Sequence, residues 1–82
     1  MIDGVNHVLA VARGRAEADP ARAASIIAGA VNEATMQAMA HNDFGSLTAE
    51  AQRVVDVLAR RFDTMAYTVP VLDAAIAEIN GS

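Results

Sequence analysis

The sequence contains no cysteine, no tryptophan and no lysine, and the absence of cysteine excludes two kinds of site. Without cysteine, the chain forms neither a disulfide framework nor a thiolate site. All six basic residues are arginine, and the formal net charge is −4. An acidic chain lacks the basic surface on which binding to a nucleic-acid backbone depends. Usage of arginine without lysine, together with abundant alanine, is typical of a GC-rich bacterial genome.

Long apolar runs are also missing. No stretch approaches 18 uninterrupted apolar residues, so the sequence predicts no membrane span. The first residues have no basic region ahead of an apolar run, so no ordinary signal peptide is predicted either. We therefore expect a cytoplasmic protein and leave open secretion without a leader.

The 82 residues are 54% hydrophobic, and much of this fraction is alanine. Alanine favours helix and lets helices approach closely, but each residue buries little area. A single domain of this size buries only about 60% of the surface that its unfolded chain exposes. Such domains often gain stability by oligomerising.

Apolar residues in the first half recur at steps of three and four, which predicts helix. Asp3 is the predicted N-cap of the first helix. Asp19-Pro20 gives a second start signal, with proline at a first helical position. The predicted core positions of this half are Val5, Val8, Leu9, Ala12 and Ala16, then Ala24, Ile27, Val31, Ala34 and Ala38, with Ala30 adding to a close-packing face.

The second half begins after a predicted loop at residues 41–46. Ser46 or Thr48 is the predicted cap of the next helix, and Asp56–Arg60 is a predicted ion pair on its polar face. Val57 lies on that polar face and is a candidate contact for another chain. The apolar stripe continues through Thr68-Val69-Pro70 to a helix end at Asn80-Gly81; its members are Leu47, Ala51, Val54, Val55, Leu58, Phe62, Met65, Val69, Leu72, Ile76 and Ile79.

Both halves thus carry one helical stripe that crosses one proline, and two all-α architectures of four helical segments fit. One is a kinked antiparallel helical hairpin that folds back at Phe44 with Pro20 and Pro70 level. The other is a small four-helix bundle with hinges at both prolines. We favour the kinked arms, in an oligomer, because separately folding helices do not need stripes that stay in phase.

Several residues resemble fragments of known sites, and a structural role is the simpler interpretation of each. His41, Asp43 and Ser46 are the residue types of a hydrolytic triad, but a short turn offers no oxyanion hole. Met36 and Met39 with His41 resemble a soft-metal site, although methionine more often fills a core. The sequence therefore predicts no catalytic residue, no metal and no cofactor.

Three further alternatives rest on resemblance or charge. Arg13, Arg15 and Arg22 form the most basic patch, and a small DNA-binding helical domain could occupy residues 21–64. Gly45-Ser46-Leu47 resembles the Asp-Ser-Leu attachment site of acyl carrier proteins, with glycine in place of the aspartate. A helical hairpin turning at Phe44-Gly45 resembles the WXG100-like secreted proteins of actinobacteria, without their tryptophan.

Our leading prediction is one all-α domain over residues 1–82 that acts as a non-enzymatic protein–protein interaction or structural module. We expect it to form a homo-oligomer or to bind a helix of a partner protein, and we expect no nucleic acid. The residues predicted to form the core and its contacts are Ile27, Val31, Leu47, Val54, Val57, Leu58, Phe62 and Met65.

Overall fold

The computed structural model describes residues 2–40, 48–63 and 66–81, and these residues form four α-helices and no β-strand. The predicted all-α class is therefore confirmed. The elements in chain order are α1 (Ile2–Ala18), a 3-10 turn (Pro20–Arg22), α2 (Ala23–Ala40), α3 (Ala49–Arg61) and α4 (Val69–Ile79).

The chain reverses direction at the first proline. Asp19 leaves the helical conformation, with φ −136° and ψ 75°, and Pro20 opens the 3-10 turn, where its missing N–H is not needed. Gly4 at the start of α1 lies against Gln37 near the end of α2, so the two helices are antiparallel. The preference for kinked arms is therefore wrong, and the four-helix bundle is the architecture present.

The second proline also begins a new helix. The last N–H of the α3 region, that of Phe62, donates to the carbonyl of Leu58 at 3.1 Å, and α4 begins with Val69-Pro70 after an extended Thr68. In-phase stripes across a proline do not distinguish a kink from a break, because each separate helix needs its own buried stripe.

The core runs through all four helices, and alanine supplies much of it. Ala30, Ala34 and Ala38 are buried along α2, which confirms the predicted close-packing face, whereas Ala24 is exposed. The buried side chains are Val5, Leu9, Ala12, Ala16, Ile27, Ala30, Ala34, Ala38, Ala51, Val54, Val57, Leu58, Phe62, Leu72, Ala75 and Ile79.

Helix α3 packs against both α2 and α4 and therefore buries a wider arc than one stripe. Val57 is only 2% exposed, so its predicted place on an exposed polar face is wrong. Phe62 is buried at the end of α3 and its ring stacks on Tyr67, with 5.4 Å between the ring centroids.

The cap and ion-pair predictions have mixed outcomes. Thr48 caps α3, since its hydroxyl accepts the Ala51 N–H at 3.1 Å. Asp3 lies inside the first turn of α1, so its assignment as N-cap is wrong. The Asp56–Arg60 pair is also wrong, because Asp56 accepts from Gln52 and Arg60 reaches across to α4.

The exposed area of the chain is 4868 Å². A compact monomer of this mass is expected to expose about 4,700 Å². The bundle thus closes its core within one chain, which removes the argument that a bare hairpin would need a partner to fold. None of the helices in the described part of the chain has both the length and the apolar character needed to cross a bilayer.

Candidate interaction surface

The residues predicted as core and contact positions lie mostly inside the bundle. Ile27, Val54, Leu58 and Phe62 are buried, as is Val57, while Val31 is half-buried against the core. The remaining two positions, Leu47 and Met65, lie outside the described residues. These described positions stabilise the monomer, so a partner would have to bind a different surface.

Residues 41–46 also lie outside the described residues. They include the residues of the triad, the serine that resembles the attachment site of acyl carrier proteins, and the Phe44-Gly45 turn. On α2, Met36 and Met39 are 63% and 51% exposed. Within residues 2–40, 48–63 and 66–81, no three His, Asp or Glu side chains come together as a metal site would require. The hairpin resemblance loses its structural basis, because α1 and α2 do not form one arm.

Polar side chains close two of the seams between neighbouring helices. At the α1/α4 seam, Asn6 donates to Asn80 at 2.9 Å and Arg13 Nε donates to Asp73 at 2.6 Å. These contacts also show that α1 and α4 are antiparallel. The α3/α4 seam is closed in the same way by arginines that reach Glu78.

The seam between α1 and α2 is different, because no side-chain hydrogen bond or ion pair joins residues 4–18 to residues 23–37. An open groove of about 600 Å³ follows this seam on the outside of the bundle. We call it the α1/α2 surface; it is lined by His7, Val8, Val11, Ala12, Arg15, Ser25, Ile26, Gly29, Ala30, Glu33 and Gln37.

The middle of the α1/α2 surface is apolar. Val11 on α1 is 46% exposed, and Val8 and Ile26 are half-buried beside it. Across the groove, Gly29 has no side chain, and a Cβ built there would meet nothing within 4 Å. The surface therefore has a half-exposed valine on one helix and an exposed glycine on the other.

Two charged residues of opposite sign flank this apolar middle. Arg15 lies near Ile26 at one end, and Glu33 lies level with Val8 at the other. Neither makes an ion pair with any residue that the structure describes. Along the helix axis, Arg15 and Glu33 are offset by the length of seven helical residues, which is about 10 Å. The two side chains are therefore too far apart for direct contact within one chain.

The polar groups of the α1/α2 surface are poorly placed for catalysis. Ser25 and His7 are candidate nucleophile and base by type, but they lie at opposite ends of the groove. Their levels differ by about 13 Å along the helix axis, whereas proton transfer needs direct hydrogen-bond contact or one bridging water. The geometry suits the binding of a surface better than the activation of a nucleophile.

Sequence reasoning missed this surface, although a signal for it exists. Val8, Val11 and Arg15 are spaced by three and four residues, and so are Ile26, Gly29 and Glu33. Each set lies beside the buried stripe of its own helix. The two sets face one groove only because α1 and α2 are antiparallel, and that pairing was not predicted.

No protein-family model matches the chain, and comparisons with curated proteins and with solved structures also give no match. The function is therefore inferred from the α1/α2 surface itself.

Proposed function

We propose that the chain is a non-enzymatic interaction module that self-associates through the α1/α2 surface. The observation that carries this proposal is the exposure of Val11 beside Gly29 in a groove that no side-chain bond closes. An exposed apolar groove with a polar rim is typical of a surface that binds another protein.

The arginines support a protein partner over nucleic acid. Arg13, Arg60 and Arg61 are paired with carboxylates within the fold, and Arg53 donates to the carbonyl of Glu78 at 2.8 Å. Arg22 lies 3.9 Å from Asp19. Few cations are left to neutralise phosphates, and the chain as a whole is acidic.

The size of the surface predicts a weak interaction. Two helices about 25 Å long and about 9 Å apart present roughly 500 Å² per copy. The total of about 1,000 Å² for two copies is at the lower limit for a specific interface. We therefore expect a dimer of folded monomers with a Kd of about 1–100 μM.

Sedimentation equilibrium from 1 μM to 1 mM tests the proposal. The unmodified chain should change from monomer to dimer across this range. Val11→Glu should remain monomeric, because it places a charge in the centre of the apolar groove. Ala10→Glu is the matched control, since it adds the same charge to the exposed side of α1 away from the groove.

Two results would count against the proposal. If the chain remains monomeric at 1 mM, it does not self-associate in the expected concentration range. Equal dimerisation of the unmodified chain and Val11→Glu would show that copies meet through a different surface.

A further inference from the structure

We propose that two copies of the chain meet face to face about a twofold axis that runs across α1 and α2, so that α1 of one copy lies antiparallel over α1 of the other. Val11 then lies beside the axis, and Arg15 of each copy pairs with Glu33 of the other. This inference rests on the proposed function and specifies how the two copies are oriented. It depends on where the charged residues lie along the groove.

The antiparallel helices give each residue of α1 a level on α2. Gly4 lies against Gln37, and Arg15 and Ile26 share one end of the groove. Because both helices rise by about 1.5 Å per residue, the same offset holds along the whole seam. It therefore gives the level of every other residue of the α1/α2 surface.

The two charged residues lie at equal distances from the middle of the surface. By the offset, Glu33 is level with Val8, so Arg15 and Glu33 are about 10 Å apart along the helices. The midpoint between them lies beside Val11 on α1 and beside Gly29 on α2. The charges therefore lie about 5 Å to either side of an apolar centre.

Two copies that face each other are related by a twofold axis only if that axis lies in the plane between them. One limiting direction runs along the helices. This axis keeps every residue at its own level and places α1 over α2 of the other copy. Arg15 then meets Arg15 at one end of the groove and Glu33 meets Glu33 at the other. Like charges opposed across an interface are destabilising, so the charge pattern disfavours this arrangement.

The other limiting direction runs across the helices and reverses the levels. Each helix then lies antiparallel over its own copy, and Arg15 arrives at the level of Glu33 of the other copy. Both side chains line the groove between the helices, so opposite charges meet at both ends. The two ion pairs use charged groups that have no ion-pair partner within residues 2–40, 48–63 and 66–81.

The apolar residues of the surface agree with the axis across the helices. Val8 arrives at the level of Ile26 of the other copy, and both side chains are half-buried in the groove. Val11 lies against Val11 of the other copy, beside the axis. The contact then has an apolar centre with charged groups around it, as specific interfaces do. It is also closed, and closed twofold dimers are the commonest homo-oligomers.

Charge reversal distinguishes the two axes by sedimentation equilibrium. Arg15→Glu and Glu33→Arg should each raise the dimer Kd by about tenfold or more, because two attractive contacts become repulsive. The double variant R15E/E33R should return to within about threefold of the unmodified chain. With the axis along the helices, either single reversal would only replace one pair of like charges by another, and the Kd would stay unchanged.

Net charge is controlled in two ways. Arg15→Glu makes the chain more acidic and Glu33→Arg makes it less acidic, so weakening by both is not an effect of net charge. Asp63→Arg changes the charge by the same amount as Glu33→Arg, at an exposed position outside the α1/α2 surface. It should leave the Kd unchanged.

The absence of cysteine permits a second test that does not depend on affinity. Arg15→Cys and Glu33→Cys are prepared separately and then oxidised alone or mixed. The axis across the helices predicts disulfide-linked dimers in the mixture and few in either variant alone. The axis along the helices predicts the reverse. Circular dichroism of each variant checks that the helices remain formed.

The outcomes separate this proposal from the one on which it rests. Weakening by both single reversals, rescue by the double variant and cross-linking in the mixture support the axis across the helices. A dimer that Val11→Glu disrupts, but whose Kd neither reversal changes or which cross-links within one variant alone, overturns this orientation and leaves the proposed function standing. A chain that is monomeric throughout overturns both.

Discussion

The carboxylate of Glu78, near the end of α4, accepts a hydrogen bond from Arg61 Nε of α3 at 2.9 Å. Arg60 binds the same carboxylate, and Arg53 donates to the Glu78 backbone carbonyl at 2.8 Å. One residue of α4 therefore anchors three arginines of α3. The hydrogen bond from Arg60, then that from Arg61, lowers the pKa of Glu78 below its ordinary value.

Glu78→Gln should reduce the loss of stability in acid. Because the pKa of Glu78 is lower in the folded chain than in the unfolded chain, its stabilising effect is present above the unfolded value of about 4.3. That effect is lost as the pH falls through the folded pKa. Urea unfolding at a series of pH values from 7 to 3 measures the difference between the two chains.

The difference in free energy of unfolding between the unmodified chain and Glu78→Gln should therefore shrink below pH 4. Asp63→Asn is the control, since Asp63 is exposed and forms no ion pair with a described residue. A difference that stays constant from pH 7 to 3 would show that the carboxylate charge does not stabilise the bundle.

Phe62→Ala should lower the free energy of unfolding by about 3–5 kcal/mol. Phe62 is only 5% exposed and stacks on Tyr67, so the substitution leaves a cavity where α3 ends. This loss is comparable to the whole stability of a marginal domain. Denaturant unfolding followed by circular dichroism measures it.

Phe62→Leu keeps most of the volume and should cost about 1.5 kcal/mol or less. If Phe62→Ala costs less than this conservative change, the aromatic ring is not part of the core.

Alanine substitutions at two glycines on exposed helix faces should have similar effects on the stability of the monomer and different effects on the dimer Kd. A Cβ at Gly14 or Gly29 would meet nothing within 4 Å, so alanine at either position should stabilise the monomer by about 1 kcal/mol. Gly29→Ala should also change the dimer Kd, because it adds a methyl group within the α1/α2 surface. Thermal unfolding at 1 μM and sedimentation at 1 mM separate the two effects.

Gly14→Ala should leave the dimer Kd unchanged, since Gly14 does not line the α1/α2 surface. Equal Kd values for both variants would argue against a place for Gly29 in the dimer contact.

Thr48→Ala should cost about 1 kcal/mol, because its hydroxyl accepts the Ala51 N–H at the start of α3. Asp19→Ala should cost less, since Asp19 occupies an N-cap position without a side-chain cap bond. Thr48→Ser retains the acceptor and should be nearly neutral. Urea unfolding of the three variants should rank them in this order, and a larger loss at Asp19 would contradict it.

The sequence predicted the helices and most of the core because both depend on local periodicity. Leu9, Ile27, Leu58 and Leu72 illustrate this success, since each occupies a stripe position and is fully or almost fully buried. Local pattern also placed a helix start at Asp19-Pro20 and an interruption at Thr68-Val69-Pro70.

The features that the sequence did not predict depend on how the helices pair. Pro20 is compatible with a bend or a reversal, and only the packing of α1 on α2 decides between them. Val57 is buried in the core, on a helix that packs against both α2 and α4, although charged neighbours flank it in the sequence. The α1/α2 surface was missed for the same reason, because it exists only once two helices lie antiparallel.

The most direct test of self-association through the α1/α2 surface is the concentration dependence of backbone amide chemical shifts. Spectra recorded between 20 μM and 2 mM should show shifts concentrated at Val8, Val11, Gly29 and Glu33. Amides on the exposed side of α4 should remain constant. Spectra that do not change with concentration, or changes confined to α3 and α4, would contradict the account.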